Sequence, residues 1–101
     1  MIEHIVLFRW KPEATGEQVA AGMDGLRGLQ VRIPGIVALA CGVDFSGRAQ
    51  GYTHALVIRF SDRAAFDAYG PHPAHQAVIE TQLKPILEAA LDFDFEVTPQ
   101  D

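Results

Sequence analysis

Residues 2–10 read Ile2-Glu3-His4-Ile5-Val6-Leu7-Phe8-Arg9-Trp10, and this run decides how the rest of the chain must be arranged. It reads as a strand ended by Lys11-Pro12. Alternate side chains of a strand point to opposite faces of a sheet. The even positions Ile2, His4, Val6, Phe8 and Trp10 are largely apolar, and so are Ile5 and Leu7 among the odd ones. Residues 52–60 repeat the pattern, with Tyr52, His54, Leu56, Ile58 and Phe60 on one parity and Ala55 and Val57 on the other. Strands of this kind need cover on both faces.

Working outward, Thr15-Gly16-Glu17-Gln18 has the form of a capping box, Thr at N-cap and Gln at N3. Val19, Met23, Leu26, Leu29 and Ile33 follow at helical spacing up to Pro34-Gly35. Gly22, Gly25 and Gly28 form a small-residue stripe suited to close packing on a sheet. Residues 36–45 read as a second strand, 46–51 as a turn and 52–60 as a third strand. Ser61 is placed to cap a helix over 62–69 that Gly70-Pro71 stops, and Pro73 suits the first turn of another helix running to about Lys84. Residues 91–97 alternate, Leu91, Phe93, Phe95 and Val97 against Asp92, Asp94 and Glu96, and the acidic set is expected on a solvated edge face.

The order β-α-β-β-α-β predicts a single domain over 1–101, an α+β ferredoxin-like fold with an antiparallel sheet and strands one and three at its centre. The crossover helices cover one face. A second copy of the chain is the simplest cover for the other, so a homodimer is expected, with an interior between sheet and helices for a ligand.

Composition narrows the functional classes. Of 101 residues, 49% are hydrophobic and 21% charged, an ordinary globular balance that excludes disorder. Thirteen acidic against eight basic residues give a net charge of −5. The Lys and Arg residues are scattered, which argues against nucleic acid and against an anionic membrane surface. Cys41 is the single cysteine, so neither an internal disulfide nor a thiolate metal set is expected. The start of the chain lacks the basic segment of a signal peptide and no apolar stretch approaches the ~20 residues of a membrane span, so a cytoplasmic protein is expected.

Four histidines carry the chemical vocabulary. His4 and His54 share the parity of the large apolar residues. Each taken singly reads as a hydrogen-bonded core residue, but adjacent strands would bring them together on a ligand-facing wall with Phe8 and Leu56. The stronger constellation is Tyr69-Gly70-Pro71-His72-Pro73-Ala74-His75. Tyr69 ends one helix and His75 falls in the first turn of the next, where the positive helix end keeps imidazole neutral and fit to act as a general base. Tyr69 would polarise a substrate carbonyl. His72 reads as a cap before proline. His72 and His75 lack a third ligand of suitable spacing, so no metal is expected there.

The segments Ile2-Glu3-His4-Ile5-Val6-Leu7-Phe8, Gly51-Tyr52-Thr53-His54 and Tyr69 with His72-Pro73-Ala74-His75 together resemble the stress-responsive A/B barrel (Dabb) family over nearly the whole chain. The resemblance implies a dimeric α/β barrel. It is similar to the olivetolic acid cyclase type, which closes a polyketide thioester by an aldol step without metal or cofactor. It places the catalytic His on His75, the assisting Tyr on Tyr69, and the polar strand histidines on His4 and His54. It also implies a magnesium ion in some members, held by backbone carbonyls that would fall near Gln30, Ile33 and Ile36. The expected activity is a cofactor-free cyclase or lyase acting on a small, partly apolar or aromatic, polyketide-like β-dicarbonyl. The alternatives are a non-catalytic dimeric binding or stress-response protein and a cofactor-independent monooxygenase.

Overall fold

The four strands form one antiparallel sheet in the order β2-β3-β1-β4, as a computed structural model describing residues 1–98 shows. The elements are β1 (Ile2–Trp10), α1 (Gly16–Arg27) extended by a 3₁₀ turn (Gly28–Val31), β2 (Ile36–Val43), β3 (His54–Phe60), α2 (Arg63–Tyr69), α3 (Pro73–Val78) extended by a π-helical turn (Ile79–Leu83), and β4 (Leu87–Glu96). This is the ferredoxin-like fold that the alternation of periods predicts, with β1 and β3 paired in the middle.

Local chemistry sets most boundaries. The capping box of α1 is complete: the Gln18 amide donates to the Thr15 hydroxyl at 3.1 Å, and the Thr15 amide donates to the Gln18 side chain at 2.9 Å. The cap of α2 is Asp62 and not Ser61; its carboxylate accepts the Ala65 amide at 2.8 Å. Ser61 instead donates its amide to the Gly35 carbonyl at 2.9 Å. Gly35 is itself required, because its φ is +91° and a Cβ there would stand 2.4 Å from the Ala65 Cβ. The stripe on α1 packs on a helical turn and not on the sheet: Cβ atoms at Gly22 and Gly25 would meet Leu83 and Gln82, while Gly28 faces open space.

Parity decides the two faces. Ile2, Val6 and Phe8 of β1 and Leu56, Ile58 and Phe60 of β3 all lie under the helices, packed on Met23, Leu26, Leu29 and Leu83. The opposite face carries Ile5, Leu7, Ala55 and Val57 at its centre, with no helix over it. The register extends this apolar surface onto β4, where Leu7 pairs with Leu91, Ile5 with Phe93 and Glu3 with Phe95. Phe93 remains 63% exposed and Leu91 52%.

The same register corrects the reading of the acidic residues. Asp94 sits opposite His4 and Asp92 opposite Val6, so both point to the helix side. The apolar alternates of β4 are the outward set. Among the described residues, no helix is long and apolar enough to cross a membrane.

Ile58 is fully buried beneath the helices. Its replacement therefore tests the core and not a partner surface. Ile58→Ala should cost about 2–5 kcal/mol in denaturant unfolding, the usual loss for a large aliphatic side chain in a packed core. A loss well below that range would show that the helix layer is not packed on β3.

Candidate functional site

A cavity of about 710 Å³ lies between the sheet and the helices. That volume is ordinary for a small-molecule site. Its sheet wall includes His4, Val6, Phe8 and Leu56, and its helix wall includes Phe66, Tyr69 and His75. Asp67, Glu80 and Lys84, all exposed, lie at its rim, so the cavity opens to solvent there.

The break between α2 and α3 builds the chemical end. Tyr69 is the last residue of α2 and Pro73 the first of α3. His72 is the N-cap, its Nδ1 accepting the Ala74 amide at 3.0 Å, which is the capping role expected of it. With α2 ended, the Gly70 carbonyl accepts two side-chain donors: His75 Nδ1–H at 2.9 Å and Gln76 Nε2–H at 2.7 Å. That bond fixes the His75 tautomer, leaving Nε2 as the unprotonated ring nitrogen. Burial pushes the His75 pKa down, more strongly than the Gly70 bond raises it, so the imidazole is neutral near pH 7. Burial does what the sequence reading assigned to the helix end.

Tyr69 stacks obliquely on His75, ring centroids 4.3 Å apart. It is 4% exposed, and burial holds its phenol well above the usual range, with the Asp92 carboxylate adding to the effect. The phenol is thus a hydrogen-bond donor at any physiological pH. Its hydroxyl makes no hydrogen bond among the described residues, so the proton is available to a ligand.

His4 completes this end of the wall. Its Nδ1–H donates to the Asp94 carboxylate, and its ring lies 5.8 Å from both Tyr69 and Phe66. The sequence reading missed Asp94, because the acidic alternation of β4 was assigned to solvent. The signal that would have found it is the β1–β4 register, which sets an acid opposite a buried His.

His54 is elsewhere. It pairs with Phe8 while His4 pairs with Ile58, so the two histidines are four residues apart along the strands, about 13 Å. His54 Nδ1 accepts from Trp10 Nε1 at 3.1 Å and lies 2.8 Å from the Thr53 hydroxyl, and burial pushes its pKa down. It is a satisfied structural histidine off the cavity wall. His75, Tyr69, His4, Phe8 and Leu56 are the expected residues that the fold brings together.

For a magnesium ion, the turn from Gly28 to Ile36 offers only backbone carbonyls and the Gln30 amide, with no carboxylate and with Arg32 among them. These neutral carbonyls are the donors that the resemblance implies, with no charged oxygen beside them to strengthen the hold on a hard dication, and no step is derived through one. Among the described residues, no group of three or more His, Cys, Asp or Glu side chains is placed to hold a metal.

An antiparallel sheet with helices on one face and a His–Tyr pair in the cavity between them defines an α+β ferredoxin-like protein. The chain belongs to the Stress responsive A/B Barrel Domain (Dabb) family, whose sequence model matches residues 2–97. It is 25% identical over 95 residues to a stress-response A/B barrel domain-containing protein of Arabidopsis thaliana, covering 94% of this chain and 36% of that protein. The chain therefore spans well under half of that relative's length. Among solved structures it is similar to a dimeric ferredoxin-like protein of unknown function from Thermobifida fusca, with a TM-score of 0.83, 32% identity, and coverage of 95% of this chain and 90% of that one. The hydroxynitrile lyase of Passiflora edulis superposes with a TM-score of 0.87 at 22% identity, over 99% and 95% of the two chains, a likeness of fold alone.

Asp94→Ala should destabilise the protein by about 1–3 kcal/mol, since it leaves the buried His4 Nδ1–H without its acceptor. Thermal or denaturant unfolding reads this directly. An unchanged midpoint would mean that His4 does not depend on the pair.

Proposed function

We propose that the chain is an acid–base lyase or cyclase that works through its own side chains on a small, partly apolar β-dicarbonyl or polyketide-like substrate. The observation that carries this reading is the bond from His75 Nδ1–H to the Gly70 carbonyl. It makes Nε2 a fixed, neutral base beside a phenol that has a proton to donate. His75 Nε2 removes the acidic proton between two carbonyls. Tyr69 donates a hydrogen bond to the oxygen that becomes an enolate. The enolate carbon attacks a third carbonyl farther along the same chain, forming the carbon–carbon bond, and the imidazolium returns its proton to the new alkoxide. His4, held by Asp94, lines the cavity with Phe8 and Leu56. A cavity open at its rim with His75 and Tyr69 on its wall favours this reading over an inert binding protein. The same fold carries a lyase in Passiflora edulis, an analogy of architecture only.

A panel of poly-β-keto thioesters tests the reaction. His75→Ala should lower turnover by about 10²–10⁴-fold, the worth of a positioned general base, and Tyr69→Phe should also lower it. In the wild type, kcat/KM should stay level as pH falls to about 6.5 and decline only below it, because the active form is neutral imidazole and burial depresses the His75 pKa. No turnover on the panel, or equal turnover by wild type and His75→Ala, would overturn the assignment.

The active form is proposed to be a homodimer with sheets face to face. The uncovered apolar face of β1, β3 and β4 supports it, and the similar Thermobifida fusca protein is described as dimeric. Burying large apolar side chains contributes roughly 1.5–3 kcal/mol each. Twofold symmetry doubles every such contact, enough to exceed an association cost of ~4–15 kcal/mol. Val57→Glu lies on the outward parity and should give a folded monomer by sedimentation equilibrium at micromolar concentration. A stable 11 kDa wild-type monomer would overturn the dimer.

A further inference from the structure

We propose that the cavity takes an uncharged carbonyl ligand and turns away its carboxylate counterpart, and that Asp92 sets this preference. The inference rests on the reading that Tyr69 meets a ligand carbonyl, and it names the charge class which that site accepts.

Four carboxylates line the cavity, Asp67, Glu80, Asp92 and Asp94, against one permanent cation, Lys84. Three of the four are engaged. Lys84 Nζ lies 3.5 Å from Glu80, Arg63 donates to Asp67 at 3.4 Å, and Asp94 accepts from His4. Asp92 makes no hydrogen bond or ion pair among the described residues. It projects from β4 on the helix side, opposite the buried Val6 and one pleat from Asp94.

No cation on this wall stands ready to receive a ligand carboxylate. Arg9 and Arg59 are on the odd parity of β1 and β3, on the far side of the sheet, where they pair with Glu88 and Glu3 at 2.9 Å. His75 is neutral. Asp92 is itself exposed, so water screens part of its field, but an anion placed at the buried Tyr69 would still meet that field with no free cation among the described lining residues to offset it. Asp92 lines the same cavity as Tyr69, and after burial, the larger cause, its charge helps hold the phenol protonated. A neutral carbonyl meets no such penalty, and the phenol that Asp92 helps keep protonated is the donor it needs. The paired Lys84 at the rim does not reverse the balance for a charge bound deep in the cavity.

The test compares methyl 4-acetylbenzoate with 4-acetylbenzoate, two aryl ketones of nearly the same shape, by calorimetric titration at about pH 7.5, where the acid is ionised and His75 is neutral. The ester should bind, and the acid should bind about tenfold more weakly or worse. Asp92→Asn should close most of that gap by strengthening acid binding. Glu88→Gln, which removes the same charge away from the cavity, should leave the gap intact. Equal binding of acid and ester, tighter binding of the acid, binding of neither, or a gap that Asp92→Asn leaves unchanged would overturn the proposal. Because the titration needs no turnover, it can fail while the His75 reaction stands, or succeed while that reaction fails.

Discussion

The structure depends on one constraint: β1 and β3 lie side by side at the centre of the sheet and are apolar on both parities. Ile2, Val6, Phe8, Leu56, Ile58 and Phe60 must be covered on one side, and α1 and the α3 segment supply that cover. The helices do not close on the sheet along their whole length. Where α2 stops and α3 begins, they leave the cavity, so the site is the part of the core that the helices fail to fill. Its apolar walls are core residues serving a second purpose.

Chemistry enters that cavity through a helix break. A carbonyl near the end of a helix has no amide of a following turn to pair with. At Gly70 the orphan acceptor is met by the side chains of His75 and Gln76, reaching back from the next helix. One satisfied backbone group thereby fixes a tautomer, aims an imidazole and holds the break closed. Pro73 fixes the first turn of α3 and His72 caps it, so the angle at which His75 enters the wall is set by backbone chemistry.

Much of this is legible in the sequence, for identifiable reasons. The strands are long alternating runs, the α1 cap is a reciprocal motif, and Gly70-Pro71 followed by Pro73 leaves little choice about where one helix ends and the next starts. His75 and Tyr69 come together because both flank that break, so local sequence is enough to pair them. What was not legible depends on register. Whether His54 meets His4 turns on a four-residue offset along β1. Whether Asp94 faces solvent or His4 turns on which parity of β4 lies under the helices. Alternation shows that a strand has two faces without saying which is inside, and for β4 the polar set is the inward one. The cap at Asp62 in place of Ser61 is a shift of one residue between two good capping types, which composition cannot resolve.

β4 links the two faces of the molecule. It is an edge strand hydrogen-bonded to β1 alone, and its own side chains are divided between two duties. Asp92 and Asp94 project into the cavity, while Leu91, Phe93 and Phe95 project outward beside Ile5 and Leu7. In an isolated chain, those outward side chains have only their sheet neighbours to pack against, and an edge strand so placed is held chiefly by its ladder to β1. Cover on the outer face would therefore secure the position of the carboxylates on the inner one, without touching the cavity. The apolar alternates of β4 and its acidic alternates answer to a single backbone, and a displacement that served one set would misplace the other.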